Sequence, residues 1–209
     1  MLGDPEFGDR NDSFQAVADL MEYGKELRNE RLRAPSNDLM TVLATHDVDG
    51  KCLDEDEVGT FFELLITAGI ETTGAAIAHG LIALSQNPGQ MAAWRAHFAA
   101  GAPAAVEEIL RWSSPVVQFA RYALADFEVG GTLIREGETV SLWYPSANRD
   151  ERQFKDPYRF DVGRHPNYHL AFGHGEHFCL GANLARWELR AVFRELAPHL
   201  RHLELAGPP

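Results

Sequence analysis

The sequence predicts a mainly α-helical protein with a minor β-sheet. Apolar residues recur at helical spacing over most of the chain, while alternating and β-branched residues are concentrated between residues 127 and 144. The composition, with 45% hydrophobic and 24% charged residues, is that of an average soluble globular protein. With 209 residues, the chain is long enough to bury a substantial core.

Two helices are predicted before the longest one. Apolar residues recur at roughly helical spacing over residues 13–33, and Pro35 ends this helix. A short helix is predicted over residues 38–45, and the Asp- and Gly-containing residues 47–50 predict a turn after it.

The longest predicted helix begins at Asp54 and ends at Asn87 and Pro88. Asp54 and Glu57 have the spacing of a capping box, and the residue before a proline is disfavoured in a helix. At about 1.5 Å per residue, such a helix must cross the whole molecule.

Residues 61–84 of this helix are apolar enough to raise the question of a membrane span. They contain Glu63, Glu71 and His79, and a charge at the centre of a bilayer is costly. The sequence therefore favours a buried helix and no membrane span.

Three further helices are predicted over residues 92–98, from Pro103 to Trp112, and over residues 182–200. Between the last two, residues 127–134 and 139–144 are expected to pair with each other as a hairpin. Residues 148–174 show little periodicity and are expected to form a long ordered loop.

Charge and cysteine content exclude several classes of protein. The net charge of −12 disfavours nucleic acids and anionic membrane surfaces as partners, because both are bound through clustered Lys and Arg. Cys52 and Cys179 do not form a disulfide framework, and residues 1–5 lack the features of a secretion signal. A cytoplasmic location is therefore expected.

Cys179 lies in a glycine-rich turn directly before a predicted helix, in the segment FGHGEHFCLG at residues 172–181. Glycines let the backbone approach a ligand, and N–H groups at a helix start lower the pKa of a thiol. The pattern indicates a site for an anionic sulfur. Two alternatives stay open: an inert buried thiol, and a zinc site with His174 and His177, for which only three close ligands are available.

This segment resembles the haem loop of the cytochrome P450 family, Phe-x-x-Gly-x-x-x-Cys-x-Gly. Its fixed places are filled by Phe172, Gly175, Cys179 and Gly181. Two more signatures of the family occur in the family's order, AGIETT at residues 68–73 and EILR at residues 108–111. Over nearly the whole chain, the sequence is most similar to actinobacterial members of the family that hydroxylate sterols and methyl-branched lipids.

The resemblance implies the cytochrome P450 fold and a haem-thiolate monooxygenase. Such an enzyme inserts one oxygen atom from O2 into an apolar organic substrate, here a sterol or branched lipid, with electrons from a ferredoxin. The implied cofactor is heme b, whose iron would be ligated by Cys179. The other implied haem-binding residues are His177, Arg121, Phe172, Gly173, Gly181 and Ala68; a surface role is the alternative for Arg121.

Glu71 and Thr72 lie in the middle of the long helix, next to Gly69, a composition that disfavours a helix interior. A local opening of the helix is expected there, and the resemblance implies that this pair relays protons. The alternative is a satisfied buried Glu71 and threonines bonded to the helix backbone.

Glu108 and Arg111 share a helix face, and their spacing alone fits an ordinary exposed ion pair. The resemblance implies instead that the pair is buried and that Arg159 joins it to hold the haem loop. The loop residue His169 is expected to face solvent.

Substrate and partner residues are also implied. The expected substrate pocket is lined by Leu65, Ala68, Val116, Val117 and Phe119, with plain core packing as the alternative. Arg186, Arg190 and Arg194 recur every four residues and predict a docking surface for an acidic ferredoxin. Salt bridges with Glu188 or Glu195 are the alternative.

All three motifs belong to the C-terminal half of the family's fold. Residues 1–209 are therefore expected to be the C-terminal part of a single domain, without its N-terminal half and its last hairpin. An incomplete fold would expose apolar surface and self-associate. The alternative function is an inactive fragment that binds haem or a partner.

Overall fold

The structure, a computed structural model, describes residues 10–207. The expectation about residues 1–5 lies outside this range. The fold is mainly α-helical with a minor β component, which confirms the predicted fold class. The helices are α1 (Arg10–Arg33), α2 (Leu39–Thr45), α3 (Glu55–Gln86), α4 (Pro88–Ala96), α5 (Phe98–Ser113), α6 (Tyr144–Ala147) and α7 (Ala182–Leu196).

Six short strands form three separate antiparallel pairs in the described part of the chain. The strands are β1 (Asp47–Val48), β2 (Lys51–Cys52), β3 (Gln118–Tyr122), β4 (Phe127–Val129), β5 (Thr132–Ile134) and β6 (Thr139–Trp143). Strand β1 pairs with β2, β3 with β6, and β4 with β5.

The expected hairpin between residues 127–134 and 139–144 is wrong. Strand β4 turns back on β5 through Gly130 and Gly131, whose φ angles are 57° and 81°. Two consecutive residues with positive φ make the tight turn that matches the twist of paired strands. Strand β6 pairs instead with β3, so that Gln118 lies opposite Trp143 and Tyr122 opposite Thr139.

The chain divides into two compact units, with the boundary between Ile70 and Glu71 inside α3. In the first unit, Asp54 caps α3 as predicted: its carboxylate accepts from the Glu57 N–H at 2.9 Å, and Glu57 accepts from the Asp54 N–H at 2.8 Å. The expectation that residues 1–209 belong to a single domain stays a prediction.

The second unit has a core built by α5, α7 and the part of α3 after Glu71. Ile109 and Leu110 of α5 and Leu189 and Phe193 of α7 are buried in this core. The aromatic ring of Trp94 from α4 stacks on Phe98 at 4.9 Å between ring centroids. This packing positions the start of α7, where the cysteine loop ends.

Several helix boundaries differ from those predicted: α1 begins at Arg10 instead of residue 13, and α4 spans Pro88–Ala96 instead of residues 92–98. Helix α5 begins at Phe98, before Pro103, because the Gly101 N–H already bonds to the His97 carbonyl at 2.9 Å. Helix α7 ends at Leu196, and a separate 3-10 turn follows at Leu200–His202.

Of the described residues, only α3 forms a helix long and apolar enough to cross a membrane. The expectation of a buried helix is wrong for this structure, because only 6% of its most apolar stretch of 18 residues is buried. The absence of a membrane span stays a prediction that depends on the charged residues of this helix.

Candidate functional site

The segment around Cys179 is a tight loop held by its own backbone. Gly173 and Gly175 have φ angles of 72° and 76°, which only glycine adopts without strain. The Cys179 N–H donates to the Phe172 carbonyl at 2.9 Å, and the Cys179 carbonyl accepts from the Ala182 N–H at 3.2 Å. The loop therefore delivers the half-buried thiol directly to the start of α7.

The surroundings of the thiol fit one kind of iron centre. Among residues 10–207, no group of three or more His, Cys, Asp or Glu side chains could hold a metal ion, which removes support for zinc bound with His174 and His177. A lone thiolate suits an iron whose other ligands come from a prosthetic group. His177 is exposed two residues before Cys179, and a Cβ atom at Gly175 would have no neighbouring atom within 4 Å among the described residues.

The haem-binding roles implied for the other residues stay predictions. The Arg121 guanidinium lies 5.9 Å from the centroid of the Phe119 ring and donates to the Ala120 carbonyl at 3.0 Å. Gly173 and Gly181 belong to the cysteine loop; a Cβ atom at Gly181 would lie 4.0 Å from the Cys179 sulfur, which is ordinary contact. Ala68 is exposed in the first unit.

The expected opening of the long helix is not present. Helix α3 continues without interruption through Gly69, Glu71 and Thr72, because a helix of 32 residues tolerates a glycine that costs about 1 kcal/mol. Glu71 is exposed and Thr72 is partly buried, so the alternative of a buried Glu71 is also wrong. The proton relay stays a prediction.

Glu108 and Arg111 form a fully buried ion pair on α5, as the resemblance implied. Two parallel hydrogen bonds of 2.8 Å join the guanidinium to the two carboxylate oxygens. The remaining Arg111 nitrogen donates to the carbonyls of Asn148 at 2.8 Å and Pro157 at 2.9 Å. The pair therefore attaches α5 to the long loop that precedes the cysteine.

The third member of this network is Arg164, which corrects the prediction of Arg159. Arg164 Nε donates to Glu108 Oε2 at 3.0 Å, whereas the Arg159 side chain is exposed. A turn closed by the Arg164 N–H and the Asp161 carbonyl brings the Arg164 side chain inward. Arg159 contributes only its carbonyl, which accepts from Arg164 at 2.8 Å and from Arg111 at 3.3 Å.

Glu107 organises a second network that the sequence analysis missed. Its carboxylate accepts from Arg186 Nε at 2.7 Å and Arg186 Nη2 at 2.9 Å, and His169 Nε2 lies 3.0 Å away. The expectation that His169 faces solvent is wrong, because this contact buries its side chain. Consecutive helix residues project about 100° apart, so Glu107 and Glu108 bind different partners. The two adjacent glutamates are the feature of the sequence that could have indicated this second network.

The pKa shifts of Glu107 and Arg186 agree with this geometry. Burial raises the pKa of Glu107, but the hydrogen bonds from His169 and Arg186 outweigh it and lower the pKa to about 2. The hydrogen bond to Glu107 raises the pKa of Arg186; partial burial opposes this effect, and the charge of Glu107 raises the pKa further. Glu107 and Arg186 are therefore both charged over the physiological pH range.

The three arginines of the predicted docking surface on α7 have different environments. Arg186 pairs with Glu107, instead of with Glu188 or Glu195, and is therefore not free for an incoming protein. Arg190 is partly buried and Arg194 is exposed. Docking of an electron donor stays a prediction.

The predicted pocket residues lie in both units. Val117 and Phe119 are about half exposed, Val116 and Leu65 are partly buried, and Leu65 and Ala68 belong to the first unit. An open cavity of about 970 Å³ lies elsewhere in the second unit. It is lined partly by Trp112, Arg149, Arg152 and Tyr158. Its lining includes neither the predicted pocket residues nor residues of the cysteine loop.

A comparison with known protein families finds a match that includes most of α5 and the whole cysteine loop. Residues 102–206, half of the chain, match the family model described as Cytochrome P450. A methyl-branched lipid omega-hydroxylase of Mycobacterium tuberculosis is 50% identical over 197 residues, covering 93% of this chain and 46% of that protein. A steroid C26-monooxygenase of Mycolicibacterium smegmatis is 41% identical over 207 residues, covering 99% and 48%.

Solved structures agree with the sequence relatives. A cytochrome P450 of Mycobacterium marinum in complex with pseudoionone has a TM-score of 0.86 and 46% identity, covering 90% of this chain and 46% of that chain. The chain spans about half the length of the curated relatives it matches. The matching family model, these relatives and the shared fold lead to one conclusion: this chain belongs to the cytochrome P450 family.

Proposed function

We propose that this chain carries the haem-binding part of a haem-thiolate monooxygenase. The reaction inserts one oxygen atom from O2 into an apolar organic substrate, a sterol or a branched lipid, with electrons from a ferredoxin. The main support is the Cys179 loop, in which positive-φ glycines and backbone hydrogen bonds present one thiol at the start of a helix. The substrate class is supported by the names of the methyl-branched lipid and steroid enzymes described above.

The proposed cofactor is heme b with its iron ligated by Cys179. When bound, it supplies the iron chemistry that activates O2. The N–H groups at the start of α7 stabilise the thiolate, and Arg121 and His177 are suited to bind the carboxylates of the cofactor. Glu71 and Thr72 hold and pass protons at a carboxylate and a hydroxyl oxygen.

The proposed electron donor is an acidic ferredoxin that docks near the arginines of α7. Arg194 is exposed and Arg190 partly so, which supports an electrostatic role for them, whereas Arg186 acts mainly within the protein. We also place the protein in the cytoplasm, a location with which two unpaired cysteines agree.

A second candidate is an inactive fragment that binds haem or a partner. It is favoured by apolar side chains beside the thiol that remain largely exposed: Phe178, Leu180, Leu184 and Trp187. Such side chains are ordinarily covered in a complete fold.

The spectrum of the reduced carbon monoxide complex shows whether a haem-thiolate site forms, and turnover of an apolar substrate with a ferredoxin then separates an active chain from an inactive fragment that binds haem. The full chain is reconstituted with haem, reduced and exposed to carbon monoxide, and Cys179→Ser is compared with Cys52→Ser. Because Cys52 is exposed and lies in the other unit, it is a matched control for loss of a thiol. We expect a red-shifted thiolate band in the wild type and in Cys52→Ser, and its loss in Cys179→Ser.

A band that persists in Cys179→Ser would contradict Cys179 as the ligand. No haem uptake by the wild-type chain would favour the inactive fragment.

A further inference from the structure

We propose that Glu107, His169 and Arg186 form a clamp that positions the Cys179 loop. We call these three residues the Glu107 clamp. The inference rests on the proposed function, in which Cys179 is the iron ligand, and assigns positioning roles to three residues outside the motifs of the sequence.

The geometry of the Glu107 clamp joins both ends of the loop to one helix. Glu107 lies on α5, His169 precedes Phe172 by three residues, and Arg186 lies on α7 after the cysteine. Both oxygens of one carboxylate are used, with N–O distances of 2.7, 2.9 and 3.0 Å. Movement of either end of the loop would therefore break charge-assisted hydrogen bonds.

The two consecutive glutamates of α5 bind different side chains. Glu108 binds Arg111, Arg164 and the backbone N–H of Asp161, all of which secure the long loop before the cysteine. Glu107 instead holds the residues that flank Cys179. The Glu107 clamp is thus separate from the buried pair that the family resemblance implied.

Arg186 also connects the clamp to the loop itself. Its guanidinium lies 4.5 Å from the centroid of the Phe172 ring, and the Phe172 carbonyl accepts the Cys179 N–H at 2.9 Å. A guanidinium keeps its charge at all accessible pH values, and partial burial reduces its screening by salt. The guanidinium therefore lies against the residue whose carbonyl accepts the Cys179 N–H, and Glu107 partly compensates its charge.

This arrangement predicts opposite electrostatic effects of two substitutions. Reduction of the iron adds a negative charge to the centre. Arg186→Gln removes a compensating positive charge and should lower the midpoint potential, whereas Glu107→Gln removes a negative charge and should raise it. A residue that acted only through general stability would not produce shifts of opposite sign.

The test combines amide hydrogen exchange of the full chain without haem and the midpoint potential of the haem-loaded chain. In Glu107→Gln and Arg186→Gln, we expect exchange in residues 170–182 to become about tenfold faster or more, because a partly buried, charge-assisted hydrogen bond is lost. Exchange in residues 118–143 should not change. Arg186→Lys should keep most of the potential but lose the protection, since a lysine has the charge without the bidentate geometry.

The matched controls are Glu188→Gln and Arg95→Gln, which remove the same charges from exposed positions on α7 and α4. Unchanged exchange in residues 170–182 of Glu107→Gln would overturn the clamp, whether or not the chain takes up haem. Potentials that shift in the same direction would overturn the charge effect. Failure of the wild type to bind haem would count against the proposed function alone, because hydrogen exchange still decides the clamp.

Discussion

Glu108 is a charged side chain that is fully buried, and its hydrogen bonds explain why this burial is tolerated. Its two oxygens accept from Arg111, Arg164, the Asp161 N–H and the Asn167 amide, at 2.8 to 3.2 Å. A buried carboxylate is tolerated only when such partners replace its hydration. The cost of removing a partner therefore depends on whether its side chain reaches the carboxylate.

Substitution of Arg164 should destabilise the protein far more than substitution of Arg159. Arg164→Gln leaves Glu108 with less compensation and removes bonds to the carbonyls of Lys155 and Arg159, so we expect a loss of about 3 kcal/mol in the free energy of unfolding. Urea unfolding followed by circular dichroism measures it. Arg159→Gln is the control and should change the free energy by less than about 0.5 kcal/mol, because its side chain is exposed. Equal losses would restore Arg159 as a member of the network.

Helix α3 has different surroundings at two of its glycines. At Gly80, a Cβ atom would lie 2.9 Å from both Ile109 Cγ2 and Phe193 Cζ, so α5 and α7 approach the helix backbone closely. At Gly74, earlier in the same helix, a Cβ atom would have no neighbouring atom within 4 Å among the described residues. The same residue type therefore has a packing role at one position and none at the other.

Alanine at these two glycines should have opposite effects on stability. Gly80→Ala overpacks the core and should lower the free energy of unfolding by about 1 to 3 kcal/mol. Gly74→Ala should raise it by up to about 1 kcal/mol, because alanine favours a helix interior and meets no neighbour. Thermal unfolding of both variants measures the difference. A Gly80→Ala protein as stable as Gly74→Ala would show that α5 and α7 do not pack on this glycine.

At the scale of the whole molecule, the chain exposes apolar side chains near the cysteine loop, and it spans about half the length of the curated relatives it matches. Leu180, Leu184 and Trp187 are 77%, 59% and 71% exposed. Leu184 and Trp187, three residues apart, lie on one face at the start of α7, and Leu180 precedes the helix by two residues. Water-exposed apolar side chains on one face favour association with another apolar surface.

The isolated chain should therefore self-associate through this face. A Leu184→Gln, Trp187→Gln double variant should reduce the associated fraction at micromolar concentration, measured by sedimentation velocity. Leu124→Gln is the control, since Leu124 is exposed but lies in the β3–β4 connection. A monomeric wild type, or equal effects of both variants, would contradict association through α7.

By itself, the sequence determined the mainly helical fold class, the capped start of α3, the glycine-framed cysteine and the Glu108–Arg111 pair, because each depends on residues a few positions apart. Only the tertiary structure decided that Arg164 reaches Glu108 and that β6 pairs with β3. It also decided that Glu107 meets His169 and Arg186, which lie 62 and 79 residues further along the chain. Local spacing specifies a turn or a helix face, but contacts over such separations follow from the packing of whole elements, which no local pattern encodes.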